Sequence, residues 1–177
     1  MEPSGGKNAL PPVTLVLGGA RSGKSRLAEG LVARAGGVTY IATAEARDAE
    51  MQARIAAHRD RRGQSWRTIE APLDLVAALD EAEAAGDPVL LDCLTLWLSN
   101  LLEMERNIAD ETAALVARLG KLRCPAVVVS NEVGQGIVPA NPLARRFRDE
   151  AGAVNQAVAA VADRVFFVTA GIPARLK

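Results

Sequence analysis

The run Gly18-Gly19-Ala20-Arg21-Ser22-Gly23-Lys24-Ser25 constrains this chain more than any other feature. It matches G-x-x-x-x-G-K-[ST]. An aliphatic, β-branched run over residues 13–17 precedes it, and good helix formers follow over residues 24–35. A pattern set between a strand and a helix is a phosphate-binding P-loop. Glycines let the backbone curl so that successive N–H groups point inward at phosphate oxygens. The start of the helix adds its positive dipole end. Lys24 is expected to reach the β- and γ-phosphates, and Ser25 to hold Mg²⁺ through its hydroxyl. The alternative is a glycine-rich strand-to-helix turn that binds nothing.

Periodicity extends this unit into a fold. Strands are predicted over residues 13–17, 38–42, 66–69, 88–92, 126–130 and 164–168. Helices are predicted over 24–35, 45–62, 73–84, 94–104, 108–122 and from Asn141-Pro142, an N-cap followed by Pro at the first helical position, to about Ala162. Residues 171–177 read as a short tail. Short aliphatic strands alternating with helices predict an α/β fold, a mostly parallel sheet covered by helices on both faces. No linker, internal repeat or low-complexity tract interrupts residues 13–177. They read as a single P-loop nucleotide-binding domain behind a disordered lead-in over residues 1–12.

Composition narrows the function. The 177 residues carry 21 Lys+Arg and 21 Asp+Glu, a formal net charge of zero. That balance speaks against gripping a nucleic-acid backbone by bulk charge. The apolar runs are strand length, so no membrane span is expected. Cys93 and Cys124 form no C-x-x-C pair, which argues against a disulfide framework or a cysteine zinc site and for a cytoplasmic setting.

Two further residues bear on chemistry. Asp92 ends an aliphatic strand, where a second carboxylate for the metal is expected. It also precedes a helix, so an N-cap is the alternative reading, and the two roles are compatible. His58, the single histidine, falls with Arg54 and Arg62 at i, i+4 and i+8 on one face of the expected helix over residues 45–62. Cations around it favour a neutral, nucleophilic imidazole and attract a triphosphate. A solvated basic helix that happens to contain a histidine is the bland reading.

Beyond the P-loop, several stretches occur in order. They are Tyr40-Ile41-Ala42-Thr43, Arg54-Ile55-Ala56-Ala57-His58-Arg59 and Trp66-Arg67-Thr68, then Ser130-Asn131-Glu132-Val133-Gly134-Gln135-Gly136-Ile137-Val138-Pro139. Ala144-Arg145-Arg146-Phe147-Arg148-Asp149, Gly152 and Asn155-Gln156 follow. Over residues 13–177 the chain resembles the bifunctional adenosylcobinamide kinase/adenosylcobinamide-phosphate guanylyltransferases of cobalamin biosynthesis. The resemblance implies a three-layer, RecA-like P-loop NTPase fold and a homotrimer. It implies phosphorylation of adenosylcobinamide by ATP or GTP. GMP is then transferred from GTP to adenosylcobinamide phosphate through a guanylyl-histidine, which by motif is His58. Nucleotide contacts carry over to Gly18, Gly19, Ala20, Arg21, Ser22, Gly23, Lys24, Ser25, Ile41, Ala42, Thr43, Arg59, Asp60, Arg61, Arg62, Glu70 and Asp92. Ser25 and Asp92 are the expected metal ligands and Mg²⁺ the expected cofactor.

Some residues stay open between chemistry and architecture. Glu132, directly after a strand, suits a base or metal support, and equally a structural turn with Gly134 and Gly136. Arg145, Arg146 and Arg148 suit substrate phosphate or a charged surface. Gly171-Ile172-Pro173 could border the guanine. Competing functional readings are a small-molecule P-loop kinase without nucleotidyl transfer, and a nucleotide-dependent switch or ATPase.

Overall fold

The computed structural model describes residues 10–33, 36–45 and 66–177. The order of elements is β1 (Val13–Gly18), α1 (Lys24–Val32), β2 (Val38–Ala42), β3 (Trp66–Glu70), α2 (Leu75–Ala85), β4 (Val89–Asp92), α3 (Leu94–Glu103), α4 (Ile108–Leu119), β5 (Ala126–Asn131), α5 (Pro142–Val161), β6 (Arg164–Thr169) and β7 (Ile172–Arg175). The strands form one seven-stranded sheet in the order β3-β2-β4-β5-β1-β6-β7. β1 to β6 are parallel, and β7 runs antiparallel to β6.

Successive strand residues point to opposite faces, so β1 feeds two cores. Val13, Leu15 and Leu17 pack on one face with α2, α3, α4 and α5, through Leu79, Trp97, Leu98, Leu115, Val154 and Val158. Val16 packs on the other with Val38, Tyr40, Leu90, Val127 and Val129, beneath Ala28 and Val32 of α1. All six residues of β1 are buried, as expected of a central parallel strand. The fold is thus three layers, with aliphatic side chains supplying most of the packing.

Local signals set the helix ends. The Asn141 side chain accepts from the N–H groups of Leu143 and Ala144, with Pro142 beginning α5, as the Asn-Pro pair predicts. Asn107 caps α4 in the same way. α4 stops at Leu119 with Gly120 as its cap, short of the expected Leu122.

Two expectations need correction at the ends. The residues read as a tail form β7, because Ala170 and Gly171, both at positive φ, turn the chain back on β6. Of the lead-in expected over residues 1–12, residues 1–9 lie outside the described residues. Leu10 packs against the second core and the Pro12 carbonyl accepts from Ala126 N at 2.8 Å. The expected helix over residues 45–62 also lies outside the described residues, apart from Glu45.

Candidate active site

The parallel strands end on one rim, and register fixes what stands there. Glu70 pairs with Ala42, Ala42 with Asp92, and Asp92 with Val129. Gly18 pairs with Asn131 on one side and Val168 on the other. The sheet therefore lines up Glu70, Ala42, Asp92, Asn131 and Gly18 along its carboxyl edge, where ligands of open α/β sheets bind.

The P-loop leaves β1 at this rim. A Cβ on Gly18 would lie 2.5 Å from Ser22 Oγ and 2.6 Å from the Val168 carbonyl oxygen. No side chain fits there, so the first glycine is required by close approach. Gly23 sits at φ 96°, a left-handed conformation that glycine adopts without strain, and N-caps α1. Two backbone bonds brace the loop from outside, Glu132 N to Gly18 O at 3.1 Å and Gly171 N to Ser22 O at 2.8 Å. Lys24 Nζ donates to Gly19 O at 3.0 Å, which folds the ammonium over the loop. Ser22 Oγ is buried without a hydrogen-bond partner among the described residues. A buried hydroxyl left in this way in the strand-to-helix loop fits a cradle built for phosphate oxygens.

Next to the cradle, the β2–β4 side is built from side chains. Tyr40 OH donates to Asp92 Oδ2 at 3.3 Å. Thr43 Oγ1 donates to the Cys93 carbonyl and accepts from Cys93 N, both at 2.8 Å. These two bonds tie the end of β2 to the residue after Asp92. Asn100, buried on α3, donates to the carbonyls of Thr43 at 3.0 Å and Pro72 at 2.9 Å. The network continues across the rim. Cys93 Sγ and Thr95 Oγ1 are hydrogen-bonded at 3.2 Å, Asn131 Nδ2 donates to Thr95 Oγ1 at 2.6 Å, and Asn155 Nδ2 donates to the Asn131 carbonyl at 3.1 Å. Burial raises the Cys93 thiol pKa, and the Asp92 charge adds to the rise. Cys93 is therefore a neutral hydrogen-bonding residue rather than a nucleophile.

The structure brings together residues 18–25, Ile41, Ala42, Thr43, Glu70 and Asp92 on one rim. Ile41 and Thr43 are buried, so their side chains hold the rim together. β5 lies between β1 and β4, so Asp92 stands on the next strand but one from the P-loop and not on its immediate neighbour. His58, Arg59, Asp60, Arg61 and Arg62 lie outside the described residues. The Glu132 carboxylate accepts from Gly134 N at 2.5 Å, a turn-building contact. Arg145 donates to the carbonyls of Pro139 and Ala140, and Arg148 pairs with Asp149. These contacts are those of loop and surface residues. Asn100, Thr95 and Asn155 had no assigned role in the sequence. The available signal was an amide on a helix face otherwise filled with Leu, Trp and Val, since a buried amide needs partners.

As metal donors, Ser25 in the first turn of α1 and the partly buried Asp92 offer a hydroxyl and a carboxylate. Such hard oxygens suit Mg²⁺, which takes one or two protein ligands and completes its shell with phosphate and water. Among the described residues no cluster of three or more His, Cys, Asp or Glu side chains could hold a metal without that help. No described helix is long and apolar enough to cross a membrane.

Comparison with known proteins points one way. The family model described as cobinamide kinase / cobinamide phosphate guanyltransferase matches residues 14–176. The bifunctional adenosylcobalamin biosynthesis protein CobP of Pseudomonas aeruginosa is 53% identical over 166 residues, covering 92% of this chain and 96% of the relative. The bifunctional adenosylcobalamin biosynthesis proteins CobU of Salmonella typhimurium and Escherichia coli are 48% and 44% identical, each over 92% of this chain and 98% of the relative. Among solved structures, the P4 protein from bacteriophage phi6 in complex with ADP aligns with 92% of this chain and 52% of its own. Its TM-score is 0.47 and its identity 17%, too distant a likeness to carry an argument.

Proposed function

The chain belongs to the cobinamide kinase / cobinamide phosphate guanyltransferase family, and from that premise we propose that it catalyses both reactions at the one rim, with a histidine as guanylyl carrier. The first reaction moves the γ-phosphoryl group of ATP or GTP to the hydroxyl of adenosylcobinamide. The second moves GMP from GTP to adenosylcobinamide phosphate, giving adenosylcobinamide-GDP and pyrophosphate.

The observation that carries the shared-site reading is the braced P-loop with its buried, unpartnered Ser22 hydroxyl. In the kinase step the acceptor hydroxyl oxygen bonds to the γ-phosphorus and gives up its proton to solvent, the bond to the β,γ-bridging oxygen breaks, and the nucleoside diphosphate leaves. Phosphoryl transfer asks the protein mainly for position and charge stabilisation, which the loop N–H groups and Lys24 supply. In the second reaction an imidazole nitrogen of His58 bonds to the α-phosphorus of GTP as pyrophosphate leaves. A phosphate oxygen of the acceptor then takes the phosphorus from nitrogen and restores the imidazole. No other histidine exists in the chain, and the Cys93 thiol is buried and kept protonated.

Mg²⁺ would be held by Ser25 and Asp92 and would supply positive charge to the phosphates. Tyr40 fixes the Asp92 carboxylate from one side. Glu70, at the end of β3, and Arg59, Asp60, Arg61 and Arg62 are proposed nucleotide contacts. A homotrimer in the cytoplasm completes the reading.

The test uses GTP labelled at the α-phosphorus. Denatured wild-type protein should retain label as an alkali-stable, acid-labile phosphoramidate. His58→Ala should carry none and make no adenosylcobinamide-GDP, while still converting adenosylcobinamide to its phosphate. Labelling of the His58→Ala protein would remove the histidine from the mechanism.

A further inference from the structure

The family reading leaves open where the bulky acceptor rests. The chain between β5 and α5 has the composition and placement for it. Residues 133–144 contain no Asp, Glu, Lys, Arg or His, in a chain that is 24% charged. Three of the loop's apolar side chains face solvent, with Ile137 at 97% relative exposure, Val138 at 61% and Val133 at 39%, and Leu143 in the first turn of α5 adds a fourth at 62%. Single exposed apolar residues are ordinary, but a run of them in one uncharged loop is not.

The loop is also built to hold its shape. Glu132 accepts from Gly134 N at its start. Arg145 Nη1 grips the carbonyls of Pro139 and Ala140 at 2.9 and 2.7 Å near its end, and Asn141 caps α5. A loop anchored at both ends needs less ordering on binding than a free one, which favours a ligand surface.

Its position selects the ligand. The residue before it, Glu132, donates its N–H to Gly18 O of the P-loop at 3.1 Å. The loop therefore continues directly from the phosphate cradle, on the rim where the phosphoryl acceptor must come in line. Resting on the family assignment, we propose that residues 133–143 are the surface on which the corrinoid body of the acceptor lies while its hydroxyl or phosphate reaches the nucleotide. The rim of a cobinamide is methyl groups and neutral amides. An uncharged, apolar loop with Gln135 among its residues complements that rim, and a charged surface would not.

The experiment is equilibrium dialysis of the full chain against cobinamide, and separately against GTP, for wild type, Ile137→Asp and Val138→Asp. Light scattering is run on the same samples. A carboxylate placed against a hydrocarbon surface is strongly disfavoured, and neither site is in the core. Cobinamide binding should weaken at least tenfold in both variants, with GTP binding within twofold and mass unchanged. Unchanged cobinamide affinity would overturn the proposal. Equal loss of GTP binding would also overturn it, as would a fall in mass, which would make the loop a contact between copies. Absence of both kinase and guanylyl transfer in wild type would count against the family-based function, while the dialysis would still decide the loop.

Discussion

The two halves of the rim are built by different means. Around β1 the cradle is backbone, made from glycines that allow close approach, a helix N-terminus, and two N–H to carbonyl braces from residues 132 and 171. Around β2 and β4 the rim is side chain, made from Tyr40 on Asp92, Thr43 bonded twice to Cys93, and Asn100 on Thr43 and Pro72. A backbone site depends chiefly on its glycines, on the Lys24 ammonium folded over it and on the Ser25 hydroxyl. A side-chain site spreads its integrity over partners that lie far apart in the chain. Substitutions should therefore act differently in the two halves, with lost chemistry and intact folding on the β1 side, and lost order on the β2–β4 side.

The largest effect expected is that of Lys24→Ala. It removes the ammonium folded over the cradle, in a loop whose shape depends on backbone bonds that the change leaves alone. Loss of one preorganised charge-stabilising group costs about 10²–10³-fold in kcat. Both the kinase and the guanylyl-transfer assays should fall by that order, while the thermal midpoint stays near wild type. A variant that loses only one activity would end the shared-site model. One that unfolds would end the contrast between the halves.

Asp92→Asn should have the next largest effect and probes the joint between the halves. The amide keeps the shape and can still accept from Tyr40 OH through Oδ1, but it removes the negative charge. Nucleotide binding with Mg²⁺ should weaken by roughly 10–100-fold, the order seen when a metal site loses a supporting interaction. Binding in the presence of a chelator should change little. Equal weakening under both conditions would make Asp92 a structural residue at the start of α3.

The same contrast explains what the sequence reveals. The P-loop is legible because its geometry demands glycine at fixed spacing over eight consecutive residues, and the flanking strand and helix confirm it. The layered fold is legible because parallel strands buried on both faces are continuously aliphatic. The bond between Thr43 and Cys93 is not legible, since its partners are 50 residues apart and meet only through the register of β2 with β4. The insertion of β5 between β1 and β4 is hidden for the same reason, because strand order is not a local property. β7 was hidden by its composition. Ile172-Pro173-Ala174-Arg175 does not read as a strand, and an edge strand tolerates a proline that a central one would not.

The smallest effect, and the one that isolates the side-chain half, is expected from Asn100→Leu. Asn100 is 6% exposed on α3, among Trp97, Leu98 and Leu101. Its amide ties that helix to the carbonyls of Thr43 and Pro72. Leucine nearly matches the volume, so cavity formation contributes little and the change reports on the hydrogen bonds. Two inward carbonyls lose their donor, which costs about 1–3 kcal/mol for each such group left unsatisfied. Part of that is offset by burying more apolar surface where the surroundings are already apolar. A net loss of about 1–3 kcal/mol is expected by urea unfolding, with the slope of the transition unchanged. The Lys24→Ala protein, measured beside it, should show no such loss. The nucleotide KM of Asn100→Leu should rise modestly, because the Thr43 segment loses its tie to α3 and keeps its bonds to Asp92 and Cys93. Were Asn100→Leu as stable as wild type, with an unchanged KM, the helix amide would carry none of the order of the β2–β4 rim, which would rest on strand register and the two Thr43–Cys93 bonds. The contrast with the β1 half would then lose its main support.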